Sequence, residues 1–477
     1  MPYQPSVDVL FMTSPNNMQA VLGRGKNLVH GSAPLGVLAM AAFVEREGYS
    51  VQLLDAFALG LGVPQAVAEI KNRRPLLVGI SCLTADAVMT VELCRQLRSQ
   101  CPEIKIILGN THARIFADYF VEQGLADFVC TGEGEYTVSE LLGKLKHGGD
   151  LAEVRGIVWS PAAGQVLRNP DRPLIEDLDS LPMPARHLAP MDIYRAPFYF
   201  HYGKKAEGLM TSRGCPNQCA FCCVHGGRKP RYRSAALMVQ EMDILATQYA
   251  TDYASFQDSL FMGNKRRVFE FSDLIKGRRH KMPWSCEGHV NFVDPKLLAA
   301  MRAAGCQVIC YGIESGVQRL LERVNKKQKL ERIEEAVRLT KEAGIKVFGL
   351  FMLGLPGETA ADSATTIGFA RRLGLDFAQF SIFSPYPGSR LFDELVAEGR
   401  IDPMAWDQFS AYPAFGKVRQ IYAPEGRTPE DLKEWQRRAI WSFYLRPTQR
   451  LREMRKVHLS NIPEVIRATW SVLRMGH

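Results

Sequence analysis

Residues 211–227 read Thr211-Ser212-Arg213-Gly214-Cys215-Pro216-Asn217-Gln218-Cys219-Ala220-Phe221-Cys222-Cys223-Val224-His225-Gly226-Gly227, and the cysteines at 215, 219 and 222 decide what kind of chain this is. The C-x3-C-x2-C spacing puts three soft thiolates on one short loop, enough to ligate three irons of a four-iron cubane and leave the fourth iron without a protein ligand. An iron left open in this way is a position for substrate, like the open position of a catalytic zinc site. A structural zinc would need a fourth ligand, which His225 could supply. Disulfides are disfavoured, because the 11 cysteines are odd in number and scattered over 477 residues, a chain long enough to need no covalent staples.

Outward from the loop, strands and helices alternate. Gly208-Leu209-Met210-Thr211 is a strand that runs into the loop; further strands lie at 253–256, 284–286, 308–313, 346–353 and 377–382, with helical patterns at 234–249, 294–304, 331–343 and 360–373. Six βα units predict an open, partial TIM-type barrel over 206–400, with its site at the carboxyl ends of the strands. Those ends carry Phe256-Gln257-Asp258-Ser259, Gly312-Ile313-Glu314-Ser315, Gly354-Leu355-Pro356-Gly357-Glu358 and Ser384-Pro385-Tyr386-Pro387-Gly388-Ser389. Asp258 and Glu314 are acids that can cap helices or supply counter-charge to a cationic ligand. Cys223, Cys286, Cys306 and Cys310 could make a second site. Cys306 and Cys310, however, are four apart on a strand and face one side, as small core residues do.

Residues 1–150 repeat the alternation. Strands at 7–12, 51–54, 76–80, 104–108 and 128–130 are separated by helical patterns, which predicts a doubly wound, Rossmann-like α/β domain that binds ligands at the carboxyl ends of its strands. Found there are Thr13-Ser14-Pro15, then Ser81-Cys82-Leu83-Thr84, Gly109-Asn110-Thr111-His112 and Gly132-Glu133-Gly134-Glu135. No G-x-G-x-x-G follows the first strand, so a nicotinamide or flavin dinucleotide is not expected. Residues 151–205, with a hairpin at 156–166 and a Pro- and Asp-rich run to Pro184, form a connector.

The net charge of +9 is unevenly placed: residues 433–477 hold ten Lys/Arg against three Asp/Glu. The remainder is nearly neutral, so a general nucleic-acid surface is not indicated. The region 401–477 ends in basic helical patterns with Trp435, Trp441, Phe443 and Tyr444 beside Arg437, Arg438, Arg446, Arg450, Arg452, Arg455 and Lys456, then Pro463 through Trp470 and Leu473. Such a segment suits either an interfacial helix on an anionic membrane or a helical lid on the barrel. Without a signal-like start or an apolar run near the ~20 residues of a membrane span, the expected location is cytoplasmic, with peripheral contact at the inner face of the membrane as the further expectation.

The cysteine loop resembles that of the radical S-adenosylmethionine (SAM) superfamily, with Phe221 at the aromatic position before the last cysteine. The resemblance implies a 4Fe-4S cluster on Cys215, Cys219 and Cys222, with SAM on the open iron and an external one-electron reductant that starts its cleavage to methionine and a 5′-deoxyadenosyl radical. It further implies SAM contacts at Asp258, Glu314, Ser315, Gly354, Pro356, Gly357 and Pro385, and it puts His289 where relatives often carry Arg. The first domain is similar to the cobalamin-binding domain that precedes the barrel in one large subclass, which implies cobalamin contacts from Ser81, Thr84, Gly109, Asn110, His112, Gly132, Glu133 and Glu135. The D-x-H-x-x-G signature of methyl-carrying cobalamin proteins is absent, so a loop histidine that hydrogen-bonds is expected of His112, not cobalt ligation.

Together these resemblances imply methylation of an unactivated carbon of a small-molecule or lipid substrate, by a substrate radical that takes its methyl from methylcobalamin. Oxidative ring closure or carbon-skeleton rearrangement without methyl transfer is the alternative, and a non-catalytic cobalamin or redox sensor is the alternative of another class. A tRNA methylthiotransferase would need a second cysteine triad and a β-rich tail, and neither is visible.

Overall fold

The structure is a computed structural model, and it describes residues 3–15, 32–162, 165–194, 205–223, 226–278, 282–411 and 418–446. His225 and the segment from Pro447 to the end of the chain, including Pro463–Leu473, lie outside the described residues. The chain divides into two compact units. One holds the chain up to Tyr194 together with Cys223–Arg231, apart from Met18–His30; the other holds Arg195–Cys222 and everything from Tyr232 onward.

In the first unit, strands β1 (Val7–Thr13), β2 (Val51–Asp55), β3 (Pro75–Ser81), β4 (Lys105–Gly109) and β5 (Phe128–Cys130) form a parallel sheet. The hairpin β6 (Ile157–Trp159) and β7 (Leu167–Arg168) adds two antiparallel strands, for an order of β2-β1-β3-β4-β5-β6-β7. The hairpin expected within the connector therefore completes the sheet. The strands are apolar on both faces, Val9, Leu10, Phe11 and Met12 being fully buried, as parallel strands covered by helices on both sides must be. Helices α1 (Leu35–Arg46), α2 (Val63–Arg73), α3 (Ala87–Gln100), α4 (Asn110–Ile115), α5 (Ala117–Glu122) and α6 (Gly134–His147) provide that cover. The strand order reverses between β1 and β3, and there Thr13 pairs with Ser81, which pairs with Gly109. This is the crevice where open α/β sheets bind ligands.

The second unit is a six-stranded, all-parallel sheet in chain order: β8 (Ala206–Leu209), β9 (Tyr253–Phe256), β10 (Trp284–Gly288), β11 (Cys306–Glu314), β12 (Lys346–Leu353) and β13 (Phe377–Ile382). It is a curled half-barrel of βα units. Alternation along each strand divides it into two faces. Phe256, Trp284, Ile309, Val347 and Phe380 face the helices within one large core, where Phe256, Phe271 and Trp284 pack edge-on at 5.4–5.6 Å and Phe261 lies tilted against Trp284 at 5.4 Å. The opposite, concave face has its floor at Val308, Phe348 and Phe377. Above the floor it carries the half-buried Ser255, Cys310, Leu350, Met352, Gln379 and Ser381. Cys306 and Cys310 thus belong to different surroundings, Cys306 in the large core and Cys310 beside the concave cluster.

The helices α7 (Ala235–Gln248), α8 (Lys265–Lys276), α9 (Pro295–Ala303), α10 (Gln318–Arg323), α11 (Leu330–Glu342), α12 (Ala360–Arg372), α13 (Arg390–Ala397) and α14 (Pro429–Tyr444) belong to this unit. The last has Thr428 as its N-cap and Pro429 in its first turn, a strong start signal. It lies against β13, the edge strand. Gln436 Nε2 donates to the Phe380 carbonyl at 2.8 Å and to the Ala411 carbonyl at 3.0 Å, and Tyr444 donates to the Ala378 carbonyl at 2.8 Å. Side chains thereby occupy edge groups that would otherwise face another strand. The described part of the C-terminal region is thus a cover for the barrel edge, with Phe443 fully buried.

Gln436→Leu leaves two carbonyls without their donor and is expected to lower stability by about 1–3 kcal/mol, whereas Tyr444→Phe removes one hydroxyl and costs about 1 kcal/mol. Urea unfolding of the two variants beside the parent chain measures the difference.

Candidate functional site

The cysteine loop is held at its start by Asp258. This residue follows β9 and is fully buried. Its carboxylate accepts from the Thr211 amide at 2.6 Å, the Thr211 hydroxyl at 2.5 Å and the Ser212 amide at 2.9 Å. Arg267 on α8 lies 3.3 Å from the same carboxylate, donates to the Thr211 carbonyl at 2.9 Å and stacks over Tyr232. Asp258 thus fastens the loop to the barrel. The far end of the loop is tied as well. Ala220 donates its amide to Val324, Leu391 donates to Ala220, and Asn325 Nδ2 donates to the Gln218 carbonyl at 2.7 Å.

Between these ties Cys215 is buried, Cys219 half-buried and Cys222 exposed. Burial pushes the Cys219 thiol up; Lys326 opposes this, and Glu314 and Cys215 reinforce it. Among the described residues of the ligand-free chain, no three His, Cys, Asp or Glu side chains form a ligating group. The surroundings suit an anionic cluster, because the buried Lys326 ammonium lies 5.6 Å from the centre of the Phe221 ring.

Lys326 is paired with Glu314 at 2.6 Å, both side chains being about nine-tenths buried. Burial opposes the ammonium charge, but Glu314, with Cys219 and Cys222, holds its pKa above the ordinary lysine value. The register of β11 against β12 slips between Gly312 and Glu314, and Glu314 has φ 67°, an uncommon conformation for a non-glycine residue. A Cβ on Gly312 would stand 2.5 Å from Glu314 Oε1 and 2.7 Å from Lys326 Nζ, so a side chain there would have to displace the ends of the pair. Ser315 is buried, in contact with the Thr366 hydroxyl at 3.2 Å, and accepts the Val317 amide. Gly354, Pro356 and Pro385 are buried near their strand ends, while Gly357, with φ 80°, is exposed. Glu358 shapes that turn by accepting the Leu355 amide.

In the first unit the strand-end residues separate into two sets. Gly109 and Gly132 have open space where a side chain would be, Asn110 is exposed with Nδ2 on the Ser81 hydroxyl at 3.1 Å, and Leu83 is 43% exposed. These form an accessible edge suited to a flat ligand. His112 and Thr84 lie beneath it. His112 is fully buried on α4, 4.7 Å from the Phe116 ring, with Nδ1 3.2 Å from the Thr84 hydroxyl. It is a core residue, not the expected loop donor, because helix α4 begins at once after β4 and turns the ring inward. Glu133 is likewise engaged, in a two-pronged ion pair with Arg231 at 2.9 and 3.0 Å and with the Ile175 amide at 2.7 Å. Glu135 is buried.

With this geometry established, comparison with known proteins decides the family. Residues 209–370 match the Radical SAM superfamily and residues 25–142 the B12 binding domain. An uncharacterized methyltransferase of Pyrococcus horikoshii is 31% identical over 440 residues, covering 91% of this chain and 92% of the relative. The chain belongs to the cobalamin-dependent radical SAM enzymes. Its cofactors are a 4Fe-4S cluster, SAM and cobalamin. The cytidylyl-2-hydroxyethylphosphonate methyltransferase of Streptomyces wedmorensis is 29% identical over 78% of this chain and 79% of its own length. In fold, this radical SAM enzyme is similar to the methyltransferase TsrM of Kitasatospora setae, with a TM-score of 0.70, 19% identity and coverage of 93% of this chain and 90% of that one.

Lys326, Arg267 and Arg231 escaped the sequence reading, because buried partners of acids far along the chain have no local signature. Asp258→Ala would leave the Arg267 guanidinium buried without its carboxylate, and a loss of about 3–5 kcal/mol is expected, with less iron retained after cluster assembly; urea unfolding and iron analysis test it. His112 is held neutral by burial, with its pKa lowered to about 3 from the ordinary 6.5. The unfolded chain takes up this proton first as pH falls, so the contribution is complete above about pH 6.5 and is lost progressively down to about pH 3. That range corresponds to a few kcal/mol, and His112→Leu should flatten the acid limb of a stability–pH profile.

Proposed function

We propose that this enzyme transfers a methyl group to a carbon of a small-molecule or lipid substrate, with Cys215, Cys219 and Cys222 holding the cluster. The observation that carries the reading is the joining of a B12-binding match to a radical SAM match in one chain whose relatives bear methyltransferase names. When bound, the cluster and SAM supply a hydrogen-abstracting carbon radical, and cobalamin supplies a transferable methyl group.

The chain's own contribution is to hold and to exclude. Asp258 and Arg267 fix where the cysteine loop leaves β8. Lys326 brings positive charge to the thiolates, and Glu314 keeps that ammonium in place. The concave face, closed at its floor by Val308, Phe348 and Phe377, keeps water from a carbon radical that would otherwise react with whatever reached it. In the first unit, Ser81, Gly109, Asn110 and Gly132 are the proposed contacts of the corrin, with the accessible edge of the sheet as its seat. An external one-electron reductant and any membrane contact belong to the same proposal.

Anaerobic reconstitution with iron, sulfide and cobalamin should give about four irons and one cobalt per chain. SAM labelled in its methyl group should then place that label in a product formed from a cell extract, and Cys222→Ala should abolish SAM cleavage. Iron without retained cobalamin would overturn the reading. A product lighter by hydrogen atoms and free of label would replace methylation by ring closure.

A further inference from the structure

The turn that leaves β12, Gly354–Glu358, bends at both of its glycines, with φ 82° at Gly354 and 80° at Gly357. It stands at the carboxyl end of a barrel strand, the end at which such barrels bind their ligands. Its outer end is held from α10, where Arg319 Nη1 donates to the Gly357 carbonyl at 3.0 Å and pairs with Asp362. Arg319 is exposed, and a surface hold of this kind contributes little. The inner end is held by the buried Glu358. Its carboxylate accepts the Leu355 amide at 3.0 Å and the Ser363 hydroxyl of α12, and it is hydrogen-bonded by the Gly354 backbone. Burial pushes the Glu358 carboxyl up, while these hydrogen bonds and the charge of Arg427 pull it back.

Arg427 comes from the C-terminal region, immediately before the N-cap of α14. Its side chain is 4% exposed. Nη1 donates to the Ser363 hydroxyl at 3.2 Å, Nε pairs with Asp431, and the guanidinium lies over the Trp435 ring at 5.9 Å. Ser363 is therefore a relay that accepts from Arg427 and donates to Glu358. Leu432 of α14 closes on the same turn: it is fully buried, and a Cβ on Gly354 would lie 3.0 and 3.1 Å from its two methyl carbons. The start of α14 thus covers Gly354 with Leu432 and reaches Glu358 through Arg427. Gln436 and Tyr444, further along the helix, bond to β13 instead.

A carboxylate draws backbone amides more strongly when it is ionised, so the charge beside Glu358 sets how firmly the turn is held. We propose that Arg427 is a positioning residue for SAM: through Ser363 and Glu358 it fixes the Gly354–Glu358 turn against which SAM lies. A region outside the matched barrel residues 209–370 then completes the SAM site. This rests on the radical SAM reading above and on the contacts expected of Gly354, Pro356 and Gly357.

SAM affinity is measured by anaerobic calorimetry on the cluster-loaded full chain for the parent, Arg427→Gln, Glu358→Gln and the double variant. Gln436→Leu is the control, since it weakens the same helix without touching the turn. Iron content and thermal melting accompany each protein. Arg427→Gln and Glu358→Gln should each weaken SAM binding about tenfold with iron retained. The double variant should bind no more weakly than Glu358→Gln, because the two residues act in series, and Gln436→Leu should stay within about twofold of the parent.

A loss of affinity in Gln436→Leu as large as in Arg427→Gln would make the effect one of stability and overturn the positioning. Additive losses in the double variant, loss of iron in Arg427→Gln, or affinity within about twofold of the parent in that variant would overturn it too. Should Arg427→Gln not fold, Asp431→Asn at the half-exposed partner of Arg427 is the milder probe: about threefold weaker SAM binding with iron retained supports the positioning, and unchanged affinity overturns it. A cluster-loaded parent that binds no SAM overturns the radical SAM reading together with the positioning, whereas binding by the parent with unaffected variants overturns the positioning alone.

Discussion

The carboxylate of Asp258 is the constraint on which the reactive loop depends. A loop that must present three thiols cannot also bury an apolar core of its own, so its position has to come from polar contacts with the barrel. Asp258 provides three of them, to the backbone and hydroxyl at Thr211 and to the backbone at Ser212. Such contacts are strong only where water is absent and every group is satisfied. Arg267 meets that condition by neutralising the acid and also taking the Thr211 carbonyl. The clamp thus joins two βα units, that of β8 and that of β9 and α8, at the point where chain geometry turns into chemistry.

A second constraint is charge. Three thiolates and a pair of carboxylates converge on one end of the barrel, and the described structure answers with one buried ammonium, Lys326. Its pairing with Glu314 depends on a bulge in β11, a positive φ at Glu314 and the missing side chain of Gly312. Unusual backbone of this kind persists only where surrounding structure enforces it. Here the enforcing element is the β11–β12 ladder, which resumes its register after the bulge at Phe351.

The sequence made the architecture legible because both units rest on period: apolar strands, amphipathic helices and Gly- or Pro-marked turns between them. The cysteine spacing is local and could be read directly. The roles of individual acids could not. Asp258, Glu133 and Glu358 stand at strand ends, as ligand contacts would, yet each is occupied by hydrogen bonds to protein groups. Arg267 is nine residues from its acid, but Arg231 is 98 away and Lys326 twelve, and no spacing rule links such pairs. His112 was misplaced for a related reason. Its motif looks like a loop, but the helix that starts at Asn110 begins without a connecting turn, and the ring is carried into the core.

The division of the half-barrel into two faces explains why so much polar chemistry can gather on one side without unfolding it. Stability comes from the helix side, where Trp284 and three phenylalanines interlock and the strands contribute every second residue to one continuous core. The concave side contributes little beyond its floor, so residues above the floor are free to be Ser, Cys, Gln or Glu. The same logic accounts for α14. A half-barrel has an open edge at β13, and an edge carrying unpaired carbonyls next to a reactive cavity would admit both water and another chain. Gln436 and Tyr444 occupy those carbonyls from a helix whose apolar face joins the core, closing the edge.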